Sequence, residues 1–148
     1  FNLTTKRYTE LEIKNFIESS DDHVFSLAVK DKFGDNGITG LCILRRLREK
    51  NTNILLIDTL LMSCRIIGRN IEYEFISNVI NYFKDLDFAE IHATYSPTKK
   101  NGQVKDFYDK LNFRLVSHGE ERNYIGEYKT LSLNRIPYID IKSNKKRK

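Results

Sequence analysis

A turn that contains two arginines and a glycine separates two apolar stretches of this chain. The first stretch ends at Met62, and Arg65, Gly68 and Arg69 precede a helical pattern that begins at Ile71. The first N–H groups of a helix lack partners within the helix, and the helix dipole adds a positive potential there. Such a helix start favours a phosphate group. The segment therefore predicts either a phosphate-binding turn or an ordinary strand-to-helix turn.

The same turn contains a cysteine that could act as a nucleophile. Cys64 is adjacent to Arg65 and close to the predicted helix start, and both features lower the pKa of a thiol. Free cysteine is also one of the most frequently buried residue types. Cys64 is therefore either a nucleophile or a packing residue. Cys42 lies in the middle of an apolar strand, where we expect it only to pack.

Three further polar residues are candidates for chemistry, and each has a structural alternative. Asp58 interrupts an apolar run, so it is either a general base with a raised pKa or a hydrogen-bonded structural acid. Tyr108 lies on the apolar face of a predicted helix, where its hydroxyl could donate a proton or its ring could simply pack. Asn101 precedes that helix and could cap it or orient a ligand. The three histidines show no metal-ligand spacing, so we expect no metal site.

The elements that position these residues follow from hydrophobic periodicity and turn signals. A capping box of Thr9 and Glu12 starts the first helix, and Asn36-Gly37 predicts a hairpin reversal. The predicted order is helix 9–19, strands 24–29, 38–44 and 53–62, helix 71–85, strand 90–95, helix 104–111, and strands 113–117 and 124–133. This order indicates an α+β fold with a mixed, mostly antiparallel central sheet flanked by helices.

Composition limits the classes of function. The chain has 148 residues and a net charge of +5, which five lysines and arginines after residue 141 account for. Because the rest is neutral, we expect a solvated basic tail and no nucleic-acid surface. No apolar run reaches the length of a membrane span, and two cysteines without CxxC spacing favour a reducing compartment, so we expect a cytoplasmic protein. The absence of an initiator Met leads us to expect part of a longer chain.

Two segments together resemble the GCN5-related N-acetyltransferase (GNAT) superfamily. The segment Arg65-Ile66-Ile67-Gly68-Arg69-Asn70 is similar to its acyl-CoA loop, with Asn70 where Gly or Ala is usual, and Phe107–Phe113 is similar to its later helix, with Asn112 in place of Gly. The resemblance implies binding of CoA or a phosphopantetheine thioester and makes Tyr108 the proton donor. The implied cofactor-binding residues are Met62, Arg65, Ile66, Ile67, Gly68, Arg69, Asn70 and Asn101.

The sequence is closer still to one branch of that superfamily. Residues 1–9, 32–37, 57–59 and 62–65 resemble the C-terminal acyltransferase-like domain of FkbH-like proteins over about residues 1–133. The resemblance implies an upstream domain of the haloacid dehalogenase (HAD) type, subfamily IIIC, and an acyl carrier protein that receives a glyceryl thioester. We therefore expect a linker at 1–8, an acyltransferase domain at 9–135 and a tail at 136–148. The alternative is a catalytically silent module that docks the carrier protein or the upstream domain.

Overall fold

The apolar stretches form six strands of one sheet in a computed structural model that describes residues 1–144. Three α-helices complete the secondary structure, together with 3-10 turns at Cys64–Ile66 and Gly102–Val104. In chain order the elements are α1 (Glu10–Glu18), β1 (Asp22–Asp31), β2 (Gly34–Glu49), β3 (Thr52–Met62), α2 (Ile71–Asn81), β4 (Glu90–Tyr95), α3 (Phe107–Lys110), β5 (Arg114–His118) and β6 (Arg122–Gly126). The predicted capping box of Thr9 and Glu12 is present at α1.

The strand order is β1-β2-β3-β4-β6-β5, and only β3 and β4 run parallel. Parallel neighbours need a crossover connection, which the segment containing α2 supplies. Strands β3 and β4 pair only from Ile54 to Ile57 on one side and from Glu90 to Ala93 on the other. The mixed, mostly antiparallel sheet with flanking helices confirms the predicted fold class.

The core lies between the sheet and one side of α2. The helix buries Phe75, Ile76, Val79 and Ile80, which recur at helical spacing. Strand β3 is central in the sheet, as its nearly continuous apolar run predicted, because a strand covered on both faces has few polar positions. The turn that contains Arg65 and Gly68 follows directly from the end of this central strand.

The first hairpin reverses earlier than the sequence predicted. Strand β2 already begins at Gly34, so Asn36-Gly37 lies inside the strand rather than at the reversal. The side chain of Asp31 accepts the N–H of Phe33 at 2.8 Å and thereby closes the turn. The left-handed φ of +64° at Gly37 instead accompanies an irregular stretch of pairing opposite β1. The prediction of the turn position was therefore wrong.

Two later elements are also shorter than expected. The predicted helix 104–111 is divided into the 3-10 turn at Gly102–Val104 and the short α3. Strand β6 ends at Gly126, where an added Cβ would lie 2.7 Å from Leu131 and 2.9 Å from Phe113. The chain therefore turns back on itself after Gly126 instead of continuing as a strand to residue 133.

The ends of the chain are more closely packed than a linker and a tail. Leu3 is fully buried in the core, although residues 1–8 were expected to be a linker. Ile136 donates its backbone N–H to Glu74, and Ile139 packs against the core. Residues 145–148, which include four of the five basic residues after residue 141, lie outside the described residues. Among the residues described, no helix is long and apolar enough to cross a membrane.

Candidate active site

The gap between β3 and β4 is filled by the first residues of the chain. Beyond Ile57 and Ala93 the two strands no longer pair, and residues 1–4, which we call the strap, lie between them. The strap runs antiparallel to β3, where the N–H of Leu3 donates to Leu60 O at 3.2 Å. The carbonyl oxygen of Leu3 accepts the N–H of Ser96, which lies just after β4, at 2.8 Å. The strap thus bridges the two strands through its backbone.

Asn101 holds the strap from the side of β4. Its side-chain amide donates to Asn2 O at 3.0 Å and to Ser96 O at 2.9 Å. Its side-chain oxygen accepts from Thr98 N at 2.8 Å and from Tyr95 Oη at 3.1 Å. The residue is buried and makes no side-chain cap of the following 3-10 turn. The capping interpretation was wrong, since all of its polar side-chain atoms are committed to the loop and the strap.

Asp58 anchors the residues that follow the strap. Its carboxylate accepts from Lys6 Nζ at 2.8 Å, from Tyr8 Oη at 2.6 Å and from Thr59 Oγ1 at 3.0 Å. Burial by itself would raise the pKa of Asp58, but the hydrogen bonds from Lys6 and Tyr8 and the Lys6 charge outweigh it and lower the pKa. The lowered pKa contradicts the alternative of a general base with a raised pKa, and the hydrogen bonds support the alternative of a structural acid.

Tyr8 reports the same interaction from the other side. Partial burial and the hydrogen bond to Asp58 raise the pKa of its phenol to about 12. The hydroxyl therefore stays protonated and donates to the carboxylate throughout the physiological range. Lys6, Tyr8 and Asp58 form a fixed anchor, which the sequence did not predict because 52 and 50 residues separate the partners.

The turn between β3 and α2 adopts the backbone that an anion site needs, but its glycine N–H has a partner. Gly68 and Asn70 both take positive φ angles, 78° and 63°. The N–H of Gly68 donates to Oε1 of Glu72, the second residue of α2, at 3.2 Å. Glu72 is only 4% exposed. Sequence reasoning did not identify Glu72, although a glutamate four residues after the glycine of such a turn is a usable signal.

The two arginines of the turn are held by the β1–β2 hairpin. Arg69 forms an ion pair with Asp31 at 2.9 Å. Hydrogen bonds from the N–H of Phe33 and from Arg69 lower the pKa of Asp31. Arg65 donates to Asn36 O and to the side chain of Ser63, both at 3.4 Å. The positive charge expected for a phosphate is thus partly neutralised by Asp31.

The remaining residues of the turn divide into core and surface. Met62 and Ile66 are buried, Ile67 is half-buried, and Asn70 donates from Nδ2 to Tyr138 Oη at 2.7 Å. A cavity of about 640 Å³ adjoins this turn, lined by residues from β1, α2 and residues 138–141. Residues 138–141 therefore flank the turn between β3 and α2.

The two cysteines differ sharply in their surroundings. Cys42 is fully buried, as predicted, and burial raises the pKa of its thiol. Cys64 is exposed at the first residue of the 3-10 turn, so it is not a core residue. Its exposure removes the packing interpretation, and its role as a nucleophile stays a prediction.

Tyr108 combines a buried ring with a hydroxyl that has no hydrogen-bond partner among the residues that the structure describes. The residue is 1% exposed, and its ring contacts those of Phe107, Phe113 and Tyr124 at centroid distances of 5.3 to 5.4 Å. Burial raises the pKa of its phenol well above the usual value. The hydroxyl oxygen is enclosed, and such an oxygen without a partner in the described part of the chain is uncommon for a buried polar atom. Its role as proton donor stays a prediction.

Comparison with known proteins identifies the fold but not a relative. No family model matches the sequence, and no curated protein matches it. Among solved structures, Arabidopsis thaliana NAA60 in complex with acetyl-CoA matches with a TM-score of 0.64 at 14% identity, over 83% of this chain and 85% of that one. A Desulfovibrio desulfuricans protein assigned to the GNAT acetyltransferases matches with a TM-score of 0.58 at 12% identity, over 80% and 76%. This chain has the GNAT fold.

A Streptococcus mutans protein, smu.2055, is also similar to this chain, with a TM-score of 0.62 at 17% identity over 83% of this chain and 80% of that one. Identities this low establish the fold alone, because one fold supports many activities. The resemblance to the GNAT superfamily is thus supported at the level of the fold. The gap between β3 and β4 and the turn between β3 and α2 therefore carry the information about function.

Proposed function

We propose that this chain is the acyltransferase-like domain of an FkbH-like protein. In this proposal it handles an acyl group, glyceryl in the first instance, on the phosphopantetheine arm of CoA or of an acyl carrier protein. The observation that carries the proposal is the gap between β3 and β4 that the strap fills, which we call the slot. That slot accepts an extended chain with amide groups, since the strap lies in it and bonds to Leu60 and Ser96.

In this proposal, the groups of the slot that bond to the strap would hold a pantetheine arm. Pantetheine is an extended chain with two amides, so its hydrogen-bonding groups match those of a short peptide strand. The carbonyl of Leu60, the N–H of Met62 and the N–H of Ser96 already bond to the strap. These backbone groups fit the arm, and the ligand supplies the thioester on which acyl transfer acts. The strap must leave the slot for the arm to enter.

Tyr108 is the residue to which we assign proton donation in acyl transfer. The thiolate that leaves in acyl transfer takes up a proton to become the free thiol, and a positioned phenol can supply that proton. The unpartnered hydroxyl fits a group that gains its hydrogen-bond partner only when a ligand is present. Cys64 would serve as an acyl-accepting nucleophile at the exposed turn.

A second candidate function is a catalytically silent module that docks a carrier protein or an upstream HAD-like domain. The observation that favours it is the strap itself, because Leu3 is fully buried in the slot and Asp58 anchors the residues beyond it. In this case the slot is a permanent part of the fold. The two candidates therefore differ in whether the strap is exchanged for a ligand.

Titration with pantetheine, followed by amide chemical shifts, separates the candidates. Lys6→Ala removes one anchor of the strap without altering the core, because this side chain is 45% exposed. If the strap competes with the arm, loosening it raises the open fraction, and the apparent affinity rises about threefold or more. Lys14→Ala, on exposed α1, removes the same charge and is the matched control.

The acyl-handling proposal expects pantetheine to shift the amides of Leu60, Met62 and Ser96 in the Lys6→Ala protein. The control variant should bind like the unmodified chain. If millimolar pantetheine leaves these amides unmoved in every variant, the slot does not exchange the strap. That result would overturn the acyl-handling proposal and favour the docking module.

A further inference from the structure

The carboxylate of Glu72 occupies the position at which the β3–α2 turn would meet an anion. Oε1 accepts the N–H of Gly68 at 3.2 Å, and the residue is 4% exposed. Oε2 is enclosed and has no hydrogen-bond partner within residues 1–144. One oxygen of this buried carboxylate therefore bonds to the turn, and the other bonds to no group of the described residues. The N–H of Gly68 and the carboxylate of Glu72 thus bond to each other at the start of the 11-residue helix α2.

The Glu72 carboxylate is opposite in charge to the group that a diphosphate ligand requires beside the Gly68 N–H. A phosphate bound at the turn would need the N–H of Gly68 and would therefore lie against the Glu72 carboxylate. Two negative groups in contact repel each other strongly where water is excluded. The neighbouring Arg69 does not offset this repulsion fully, because Asp31 already pairs with it. The turn has the backbone of an anion site but holds its own anion.

We propose that Glu72 is a specificity-determining residue that excludes diphosphate-bearing ligands such as CoA from this turn. The slot would then accept pantetheine-type chains that carry no phosphate or a single one in preference to CoA. This inference rests on the proposed function for its ligand class, but the charge of the turn can be tested without the slot. Glu72 acts on the ligand and on Gly68, so its role is selection rather than catalysis.

Inorganic pyrophosphate is the probe for the turn alone. Glu72→Gln keeps an oxygen that can accept the N–H of Gly68 and removes the negative charge. We expect the unmodified chain to show no saturable shift of the Gly68 amide with pyrophosphate, and Glu72→Gln to bind it at least tenfold more tightly. Glu49→Gln makes the same change of net charge on an exposed residue at the opposite end of the long β2–β3 hairpin, and it should behave like the unmodified chain.

A structural role for Glu72 would change only the melting temperature in this experiment. If Glu72→Gln remains folded and gains no pyrophosphate affinity over Glu49→Gln, the inference is wrong. If Glu72→Gln unfolds, Glu72→Asp replaces it, because a shorter carboxylate keeps the charge but draws it away from Gly68. That variant should then bind pyrophosphate more tightly than the unmodified chain, and the absence of any gain likewise overturns the inference.

The ligand series distinguishes this outcome from failure of the proposed function. In the Lys6→Ala background, pantetheine should bind equally with and without the Glu72→Gln substitution, whereas CoA should gain about tenfold from it. Gain for pyrophosphate without any binding of pantetheine would uphold the inference about the turn and overturn the acyl-handling function. Equal CoA and pantetheine affinities in the chain that retains Glu72 would overturn the inference alone.

Discussion

The slot between β3 and β4 and the turn before α2 are both filled by the protein's own groups, but by different chemistry. A neutral peptide segment lies in the slot and bonds through backbone N–H and C=O groups. A negative side chain lies at the turn and accepts the N–H of Gly68. The strap therefore takes the place that an amide-bearing ligand would have in the slot, and Glu72 takes the place that an anionic ligand would have at the turn.

The difference lies in how each occupant is attached. The strap continues into Thr5, whose φ of 59° is a left-handed bend, and then into the Lys6 and Tyr8 anchor. It could leave as a segment once the anchor opens. Glu72 is fixed by α2 and can only change its side-chain conformation. Competition at the slot is thus set by the strap's packing, whereas competition at the turn is set by charge.

Removing the strap's main core contact should have the largest effect on stability. Leu3→Ala removes a fully buried side chain, and such changes cost about 3 kcal/mol because part of the cavity persists. Leu61→Ala, on the adjacent strand with 41% exposure, should cost less than about 1 kcal/mol. Urea unfolding measures both. Equal losses would show that the strap is not part of the cooperative core and would weaken the docking-module candidate.

Breaking the anchor should have the next largest effect. Asp58→Asn removes the negative charge of the carboxylate that accepts hydrogen bonds from Lys6, Tyr8 and Thr59. We expect the free energy of unfolding to fall by about 2 kcal/mol at pH 7. This loss is smaller than that for breaking a fully buried ion pair, because Lys6 is half-exposed. Asp85→Asn, an exposed change of the same kind, should have little effect. Chemical unfolding of the three proteins gives the comparison.

The loss from Asp58→Asn should depend on pH in one direction. The folded chain lowers the pKa of Asp58, so the carboxylate contributes its stability above the unfolded pKa of roughly 3.9. That contribution is lost as the pH falls through the lower, folded pKa. The difference between the unmodified chain and Asp58→Asn should therefore be full at pH 7 and shrink below about pH 4. A difference that grows on acidification would contradict the lowered pKa.

On the side of the turn, strain at the glycine should have a smaller effect. Gly68 has a φ of 78° with open space around its Cβ position, so Gly68→Ala introduces backbone strain without a clash, at a cost of about 1 kcal/mol. Gly102→Ala also meets open space but at an ordinary φ, and it should be neutral or slightly stabilising. Thermal unfolding of the pair isolates the backbone contribution. Equal melting temperatures would show that the turn tolerates another conformation.

Local signals predicted most of the fold. The capping box of α1, the bounds of β4 and the central position of β3 all depend on neighbouring residues or on continuous burial, and each is confirmed. The first reversal was placed wrongly because Asp31 closes a turn that the stronger signal of Asn36-Gly37 concealed. Periodicity identifies an element but does not say which of two adjacent turn signals is used.

The occupants of the candidate site could not be read from local sequence. The strap bonds Leu3 to Leu60, Phe1 to Met62 and Leu3 to Ser96, which are 57, 61 and 93 positions apart. The contacts from Lys6 and Tyr8 to Asp58 span 52 and 50 positions. Asp58 illustrates the consequence, because burial alone predicts a raised pKa and only the distant partners reverse its direction. Glu72 was within reach of a local argument, since it lies four residues after Gly68, but its burial required the structure.

The hydroxyl of Tyr108 gives the smallest expected change in stability and separates the candidate functions. Because this buried hydroxyl has no partner, Tyr108→Phe should leave the stability unchanged or raise it by up to about 1 kcal/mol. Tyr124→Phe, whose hydroxyl donates to Asp109 at 3.0 Å, should lose about 1 kcal/mol in the same measurement. If Tyr108 donates a proton, Tyr108→Phe should also lower kcat about 10- to 1000-fold with nearly unchanged ligand affinity. Full turnover in that variant would remove Tyr108 as the proton donor and favour the docking module. In that module the hydroxyl is only a buried polar group without a catalytic role.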